Sequence, residues 1–500
     1  MQILRSPIEA AHWLRARVRG HLHADSRPIG AGDGFIAWPG AATDGRRYVP
    51  AALAQGATAC LVEAQGAEAF GFQNDAVAGY AGLKADTGPI AAAFYDHPSE
   101  RLDVLAVTGT NGKTSTTWWL AQALSLARDA GASPCAVMGT LGVGLPPNLE
   151  YTGLTTPDPV RLQRQLRAFA DQGFHSCAIE ASSIGIAERR LDGTRIAAAV
   201  FTNFTQDHLD YHGSMEAYWQ AKAELFAWPQ LRIAVVNVDD LRGAGLVADL
   251  AARGDAPSQL WTTSAAGACA RLTARDISHG TEGLRFDVVE ADAASVPLAT
   301  RLTGRYNVSN LLGVIATLRA LGLPLAQAAE LCARLSSVPG RMERVGEPGQ
   351  PLVIIDYAHT PAALDQVLAA LRPVASERKG QLWCLFGCGG DRDPIKRPLM
   401  AAVAEKQADR LMLTSDNPRS EKPAEIISQM MRGLASPGTA GVEPDRARAI
   451  AGVIAQAAPQ DVVLLAGRGH ELWQEVAGEH IAFSDREHAM AALAARSRAA

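Results

Sequence analysis

An apolar stretch, residues 102–107, runs into Gly109-Thr110-Asn111-Gly112-Lys113-Thr114, and beyond it Trp118, Ala121 and Leu124 recur at helical spacing. A strand, a tight glycine-containing loop and a helix in that order imply a largely parallel sheet whose ligand loops gather at one end. The closing Gly-Lys-Thr has the composition of a phosphate loop, in which backbone N–H groups cradle phosphate oxygens, Lys113 supplies a cation and the Thr114 hydroxyl reaches Mg2+. Val107 stands where the general pattern has glycine, so the triplet alone is a weak sign. Its placement between a strand and a helix favours phosphate binding over an ordinary βα turn.

The same alternation continues along the chain. Strand candidates at 177–179, 197–201 and 233–237 interleave with helix-like stretches at 159–170 and 215–226. Residues 254–300 carry no legible motif, and then QLWCLFGCGG, ADRLMLTSDN and DVVLLAGRGH each read as a buried strand ending in a polar loop. Five hundred residues, at roughly 150 per domain, suggest about three domains. The expected divisions are 1–95, 96–340 and 341–500. The fold class is α/β with three domains, the central one a P-loop ATPase-type, mostly parallel sheet and the C-terminal one Rossmann-like.

A net charge of -5 gives no basic excess for a nucleic acid partner. The chain has neither a signal-like start nor a run approaching the ~20 apolar residues of a membrane span, so no membrane insertion and a cytoplasmic location are expected. Seven scattered cysteines read as buried free thiols. Glu180 closes a strand, where open α/β sheets bind ligands, and suits a Mg2+ site beside the loop. Asn203, Asp207, His208 and Asp210 crowd polar groups after another strand. Lys222, read alone, is a snorkelling surface lysine, and Asn307 caps a helix through Asn310 and Leu311.

VTGTNGKTST, preceded by DSRPIGAGDGFIAWPGAATDGRRYV, is followed in order by TTPD, EASS, FTNFTQDHLDYHGSMEAYWQAKAELF, GRYNVSNLLG, PGRMERV, DYAHTP, GCGGDRD, TSDNPR and AGRGHE. This series resembles the Mur ligase family, which includes the folylpolyglutamate synthases. The resemblance implies an ATP-dependent amide ligase of peptidoglycan synthesis that adds meso-diaminopimelate to UDP-N-acetylmuramoyl-L-alanyl-D-glutamate through an acyl phosphate. It implies ATP at Gly109, Thr110, Asn111, Gly112, Lys113, Thr114, Ser115 and Asn307, with Asp356, Tyr357 and His359 near the base and ribose. Mg2+ would be held by Thr114, Glu180, His208 and Lys222, the last carrying a carbamate derived from CO2; Lys113, Lys222, Glu180 and His208 would be catalytic.

The same resemblance gives the N-terminal domain the UDP-sugar, near Ser26, Arg27 and the turn 41–44, and gives the muramoyl dipeptide Thr155, Thr156, Ser182, Glu188 and Arg190. Two positions depart from the family pattern: Ile184 replaces a histidine, and Glu188 replaces a glutamine and brings an anion toward an anionic substrate, with Arg189 and Arg190 expected to compensate. Diaminopimelate would meet Arg392, Asp416, Asn417, Pro418, Arg419, Gly467 and Glu471, the Arg419 guanidinium pairing with its distal carboxylate. Asp445-Arg446 falls near the same pocket, and Arg468 stands where lysine is common. The partners are these small molecules; protein partners, if any, would be other cell-wall synthesis enzymes. A lysine-adding ligase, a folylpolyglutamate synthase and a non-ligating P-loop regulatory module are the alternatives.

Overall fold

The computed structural model describes residues 1–40, 43–127, 134–254, 256–291 and 295–499. It divides into two compact units, the first made of Met1–Thr273, Val289–Ala294 and Ser309–Cys332, the second of Ala274–Val288, Ser295–Val308 and Ala333–Ala500. All three sheets that carry the predicted site residues are α/β.

The first unit opens with five short parallel strands, β1 (Gln2–Leu4), β2 (Leu22–His23), β3 (Gly34–Ala37), β4 (Ala59–Glu63) and β5 (Val77–Tyr80), in the order β1-β5-β4-β3-β2. Its second sheet contains β6 (Asp103–Thr108), β7 (Cys135–Gly139), β8 (Gly142–Leu145), β9 (Asn148–Glu150), β10 (Ser176–Glu180), β11 (Ile196–Phe201), β12 (Ile233–Asn237) and β13 (Gln259–Ser264). Within this unit the order is β13-β12-β11-β6-β10-β7-β8-β9, parallel except for the last two strands. β6 lies between β10 and β11, so the chain leaves it toward opposite edges, and its carboxyl end opens on the crevice where such sheets hold ligands. Strands covered on both faces are apolar throughout, which is why β6, β10, β11 and β12 were readable as continuous runs.

Two expectations need correction here. The helix Lys113–Leu126 was expected to show one apolar face, yet Trp118, Trp119, Leu120, Ala121, Ala123 and Leu124 are all buried. It is enclosed on every side rather than amphipathic. The segment without a legible motif forms strands: β13, then β14 (Leu272–Gly280), β15 (Gly283–Glu290) and β16 (Val296–Thr300). In β15 the buried residues Leu284, Phe286 and Val288 alternate with less buried Arg285 and Asp287, a period of two hidden among polar neighbours.

In the second unit β15 and β16 pair antiparallel, with Leu284 opposite Thr300. The main sheet there runs β17 (Glu343–Val345), β18 (Leu352–Asp356), β19 (Leu382–Phe386), β20 (Arg410–Leu413), β21 (Gly441–Val442) and β22 (Val462–Ala466), in the order β17-β18-β22-β19-β20-β21. Alternate residues face opposite cores: Ile354, Cys384 and Leu464 pack with Leu364, Leu371 and Met400, while Val353, Leu385 and Val463 pack with Ile450, Val453 and Leu493. Helices therefore cover both faces, the doubly wound arrangement expected. A hairpin, β23 (Trp473–Val476) and β24 (Glu479–Ala482), follows.

All seven cysteines are free, but Cys269 is exposed, contrary to the expectation of uniform burial. Among the described residues no helix is long and apolar enough to cross a membrane.

Arg446, next in sequence to Asp445, is a buried brace beside the strand ends that carry Asp416 and Gly467. Its guanidinium donates to Asp485 at 2.7 and 2.6 Å and to the carbonyls of Ser415 and Ala466 at 3.2 and 3.0 Å, and neither charged side chain is exposed. Removing one partner of such a pair leaves an uncompensated buried charge, at a cost of about 3–5 kcal/mol. Asp485→Ala should therefore lower the thermal transition of the second unit markedly in calorimetry; an unchanged transition would contradict the brace.

Candidate functional site

The loop after β6 is held from several directions. The Thr110 N–H donates to the Asn203 carbonyl at 2.8 Å, the Asn111 N–H to the Asn203 side chain at 3.0 Å, and the Thr202 hydroxyl to the Asn111 carbonyl at 2.6 Å. Gly112 has φ +85°, and a Cβ there would stand 2.4 Å from Asn310 Oδ1. Only glycine fits that turn. Thr114, Ser115 and their successors begin a buried helix, and a helix N-terminus is a ready anion site.

Two lysines meet at this loop. Lys113 Nζ donates to the carbonyls of Gly109 and Thr110, both at 2.9 Å, and Lys222 Nζ donates to the same Gly109 carbonyl at 2.8 Å. Lys222 is no snorkelling surface residue: it is 1% exposed and lies 4.5 Å from the ring centre of Tyr218. Burial, reinforced by the neighbouring Lys113 charge and opposed by Asp207, pushes its pKa down to about 6. Tyr218, whose hydroxyl is 3.1 Å from Thr110 Oγ1, thus joins the lysine to the loop.

Glu180, 1% exposed, ends β10 beside β6. It accepts from the Thr114 hydroxyl at 3.0 Å, the Thr140 N–H at 2.8 Å and the Thr140 hydroxyl at 3.3 Å. Thr140 Oγ1 is 3.0 Å from Thr155 Oγ1. The Thr156 hydroxyl donates to the Glu180 carbonyl at 2.7 Å and contacts Ser182 Oγ at 2.9 Å, and Arg190 donates to the Thr156 carbonyl at 3.0 Å. A continuous polar path therefore leads from the phosphate loop to Thr155, Thr156, Ser182 and Arg190. Ser182 also caps the short helix Ser183–Ala187.

His208 adopts a left-handed backbone, φ +51°, and lies half-exposed 3.6 Å from Asp207. Burial and the two lysine charges lower its pKa, so the ring favours the neutral, ligating form. Among the described residues no group of three or more His, Cys, Asp or Glu side chains is placed to hold a metal. Mg2+ is commonly bound by one or two protein groups together with phosphate oxygens and water, so the hard oxygen donors Glu180 and Thr114 beside the loop fit it without such a cluster.

On the N-terminal sheet, Ser26 lies half-buried after β2, and Arg27 is exposed and donates to Asp25 at 2.9 Å. Ala41 and Ala42, half of the expected turn 41–44, lie outside the described residues.

The second unit brings most of its predicted residues together. Asn417 donates to Glu471 at 2.8 Å and accepts from Arg468 at 2.8 Å and from the Glu475 N–H at 2.9 Å. Burial and Asp416 raise the pKa of Glu471. Gly467 approaches Asp416 closely, a Cβ there falling 2.6 Å from its carboxylate. The Gly390 N–H donates to the Asn417 carbonyl at 2.9 Å, and Pro418 carries the chain on to Arg419. Arg419 donates through Nε to Glu475 at 2.9 Å and through Nη1 to the Gly390 carbonyl at 2.8 Å, and among the described residues its Nη2 has no hydrogen bond. Glu475 was not anticipated. Arg392 is exposed. Asn307 is buried at the start of the helix Asn307–Ala320 and donates back to the Thr303 carbonyl at 2.7 Å. Asp356 is buried, with its carboxylate accepting from the Met342 and Ala358 N–H groups at 2.8 and 2.9 Å; the His359 ring nitrogen lies 2.8 Å from the Tyr357 carbonyl.

The chain is similar to known proteins over nearly its whole length. Family models described as Mur ligase family, catalytic domain, Mur ligase middle domain, and Mur ligase, glutamate ligase domain match residues 20–92, 107–318 and 340–469. The UDP-N-acetylmuramoyl-L-alanyl-D-glutamate-2,6-diaminopimelate ligase of Acidovorax sp. (strain JS42) is 59% identical over 98% of this chain and 97% of its own. The protein of the same name from Janthinobacterium sp. (strain Marseille) is 47% identical over 97% and 96%. A solved structure of a ligase with that name has a TM-score of 0.69 at 35% identity, covering 95% of each chain.

The Lys222 environment has a consequence for the protein free of metal and CO2. The unfolded chain keeps this proton up to about 10.5 and the folded chain releases it near 6, so between those values the unfolded state binds more protons and stability rises with pH. Lys222→Met should flatten that rise in urea titrations between pH 6 and 9. Parallel pH profiles for parent and variant would contradict the buried, deprotonated amine.

Proposed function

The chain belongs to the Mur ligase family, and we propose that it is the ATP-dependent ligase joining meso-diaminopimelate to UDP-N-acetylmuramoyl-L-alanyl-D-glutamate in peptidoglycan synthesis. The observation that carries this reading is the polar path from Thr114 through Glu180 to Thr156 and Arg190. It joins a phosphate site to hydroxyls and a cation suited to a substrate carboxylate. In this reading residues 1–95 hold the UDP-sugar, 96–340 the ATP and 341–500 the amino acid.

The substrate carboxylate attacks the γ-phosphorus of ATP and expels ADP, giving an acyl phosphate. The amine then attacks the acyl carbon, and the tetrahedral intermediate expels phosphate to leave an amide. Lys113, already turned toward the loop, neutralises phosphate charge in the first step and oxyanion charge in the second. Thr114 and Glu180 would hold one Mg2+, and His208 and Lys222 a second. When bound, such cations would offset the repulsion between phosphate and carboxylate oxygens. Lys222 serves after its neutral nitrogen adds to CO2 and sheds a proton, becoming an anionic carbamate; its depressed pKa makes the neutral amine the resting form.

In the second unit, Glu475 fixes the Arg419 guanidinium and leaves Nη2 for the distal carboxylate of diaminopimelate, which lysine lacks. Glu471, close to Asn417, is the acid for the distal ammonium.

Phosphate release should require ATP, Mg2+, UDP-muramoyl dipeptide and meso-diaminopimelate together. Turnover with L-lysine alone would overturn the specificity, glutamate-dependent turnover on a folate would point to a folylpolyglutamate synthase, and ATP binding without amino-acid-dependent release would point to a regulatory module. Arg419→Ala should raise the KM for diaminopimelate about tenfold or more while leaving that for ATP near the parent value. An equal rise in both would contradict the assignment.

A further inference from the structure

Glu188 stands in the row of side chains assigned above to the muramoyl dipeptide, and the inference drawn here rests on that assignment. Its carboxylate accepts from the Tyr211 hydroxyl and pairs with Lys84 Nζ at 2.7 Å. Arg189, expected to offset it, is engaged elsewhere, 3.0 Å from Glu224 and 3.8 Å from Asp192. Arg190 reaches the Thr156 carbonyl. The cation that answers Glu188 thus comes from a different sheet: Lys84 lies in the first turn of the helix Leu83–Phe94, against the N-terminal strands.

The helix is seated so that this pairing is imposed rather than incidental. Gly88, one turn beyond Lys84, approaches the 192–193 backbone so closely that a Cβ there would lie 2.1 Å from the Asp192 carbonyl oxygen. Positions four apart share a helix face, so the approach at Gly88 aims Lys84 at the same loop. The Lys84 and Glu188 side chains are 44% and 29% exposed, and an ion pair that exposed contributes only about 0–1 kcal/mol to stability. The pair's effect on the local field is larger than its effect on the fold. Lys84, Arg190 and Glu188 together carry one net positive charge; without Lys84 they carry none.

We propose that Lys84 is a positioning residue for substrate binding, which keeps the Glu188 carboxylate turned away from, and electrically silent toward, the anionic UDP-muramoyl dipeptide. Glu188 is tolerated where a neutral amide would need no partner because the N-terminal sheet supplies this lysine. The burden of Glu188 falls on the substrate only when Lys84 is lost.

The test is a set of steady-state measurements on the full chain with Lys84→Met, Lys84→Arg, Lys84→Met/Glu188→Gln and Arg190→Met. Lys84→Met should raise the KM for UDP-muramoyl dipeptide about five- to tenfold at low ionic strength, less at 0.5 M salt, with the KM for ATP and the melting temperature little changed. Lys84→Arg should stay near the parent, and the double variant, which restores the net charge, should recover most of the loss. An unchanged KM in Lys84→Met, or a double variant as impaired as the single one, overturns the inference. Arg190→Met separates the two levels: a raised KM there with none in Lys84→Met removes the role of Lys84 alone, whereas no change in Arg190→Met removes the peptide site and this inference together.

Discussion

Two lysine side-chain nitrogens share one acceptor in this protein. The Gly109 carbonyl, at the carboxyl end of β6, accepts from both Lys113 and Lys222. Burial of Lys222, reinforced by the Lys113 charge, lowers its pKa to about 6 and favours the neutral amine at the deeper position. The glycine turn, the Asn203 clamp and Tyr218 hold the loop in a shape that keeps both nitrogens near the helix N-terminus. The Lys113 charge and the helix N-terminus both face this loop, so the site is organised for an anion before one arrives.

Elsewhere several buried polar or charged side chains meet partners from distant segments. Arg446 meets Asp485, Arg397 meets Glu421 while donating to the Gly389 carbonyl, and Asn417 bridges Arg468 and Glu471. These links tie the loops after β19, β20 and β22 to one another, so the polar residues at the ends of three strands act as one surface. Strand ends supply position, and the ion pairs supply orientation.

The strands flanking the phosphate loop were legible because burial on both faces makes them continuously apolar, as in Ile233–Asn237. Strand Gln259–Ser264 was not, since its Gln, Thr and Ser residues break the apolar run of a partly covered strand. Residues of the local motif, from Gly109 to Thr114, were found at once. Thr140, Tyr218, Glu475 and Lys84 were missed because each reaches the site through a hydroxyl or an ion pair from a remote segment, and no local spacing encodes such a meeting. Arg189 shows the reverse: its place in the sequence beside Glu188 suggested that it would offset that charge, and tertiary pairing engages it with Glu224 instead.

The account turns on Lys222 being a buried amine that is neutral near pH 7 and open to CO2. Carbon-13 NMR of the protein equilibrated with 13C-labelled bicarbonate tests this directly. A carbamate carbon resonance should appear in the parent and be absent in Lys222→Met. A parent spectrum without that resonance, under conditions in which the enzyme turns over, would contradict it.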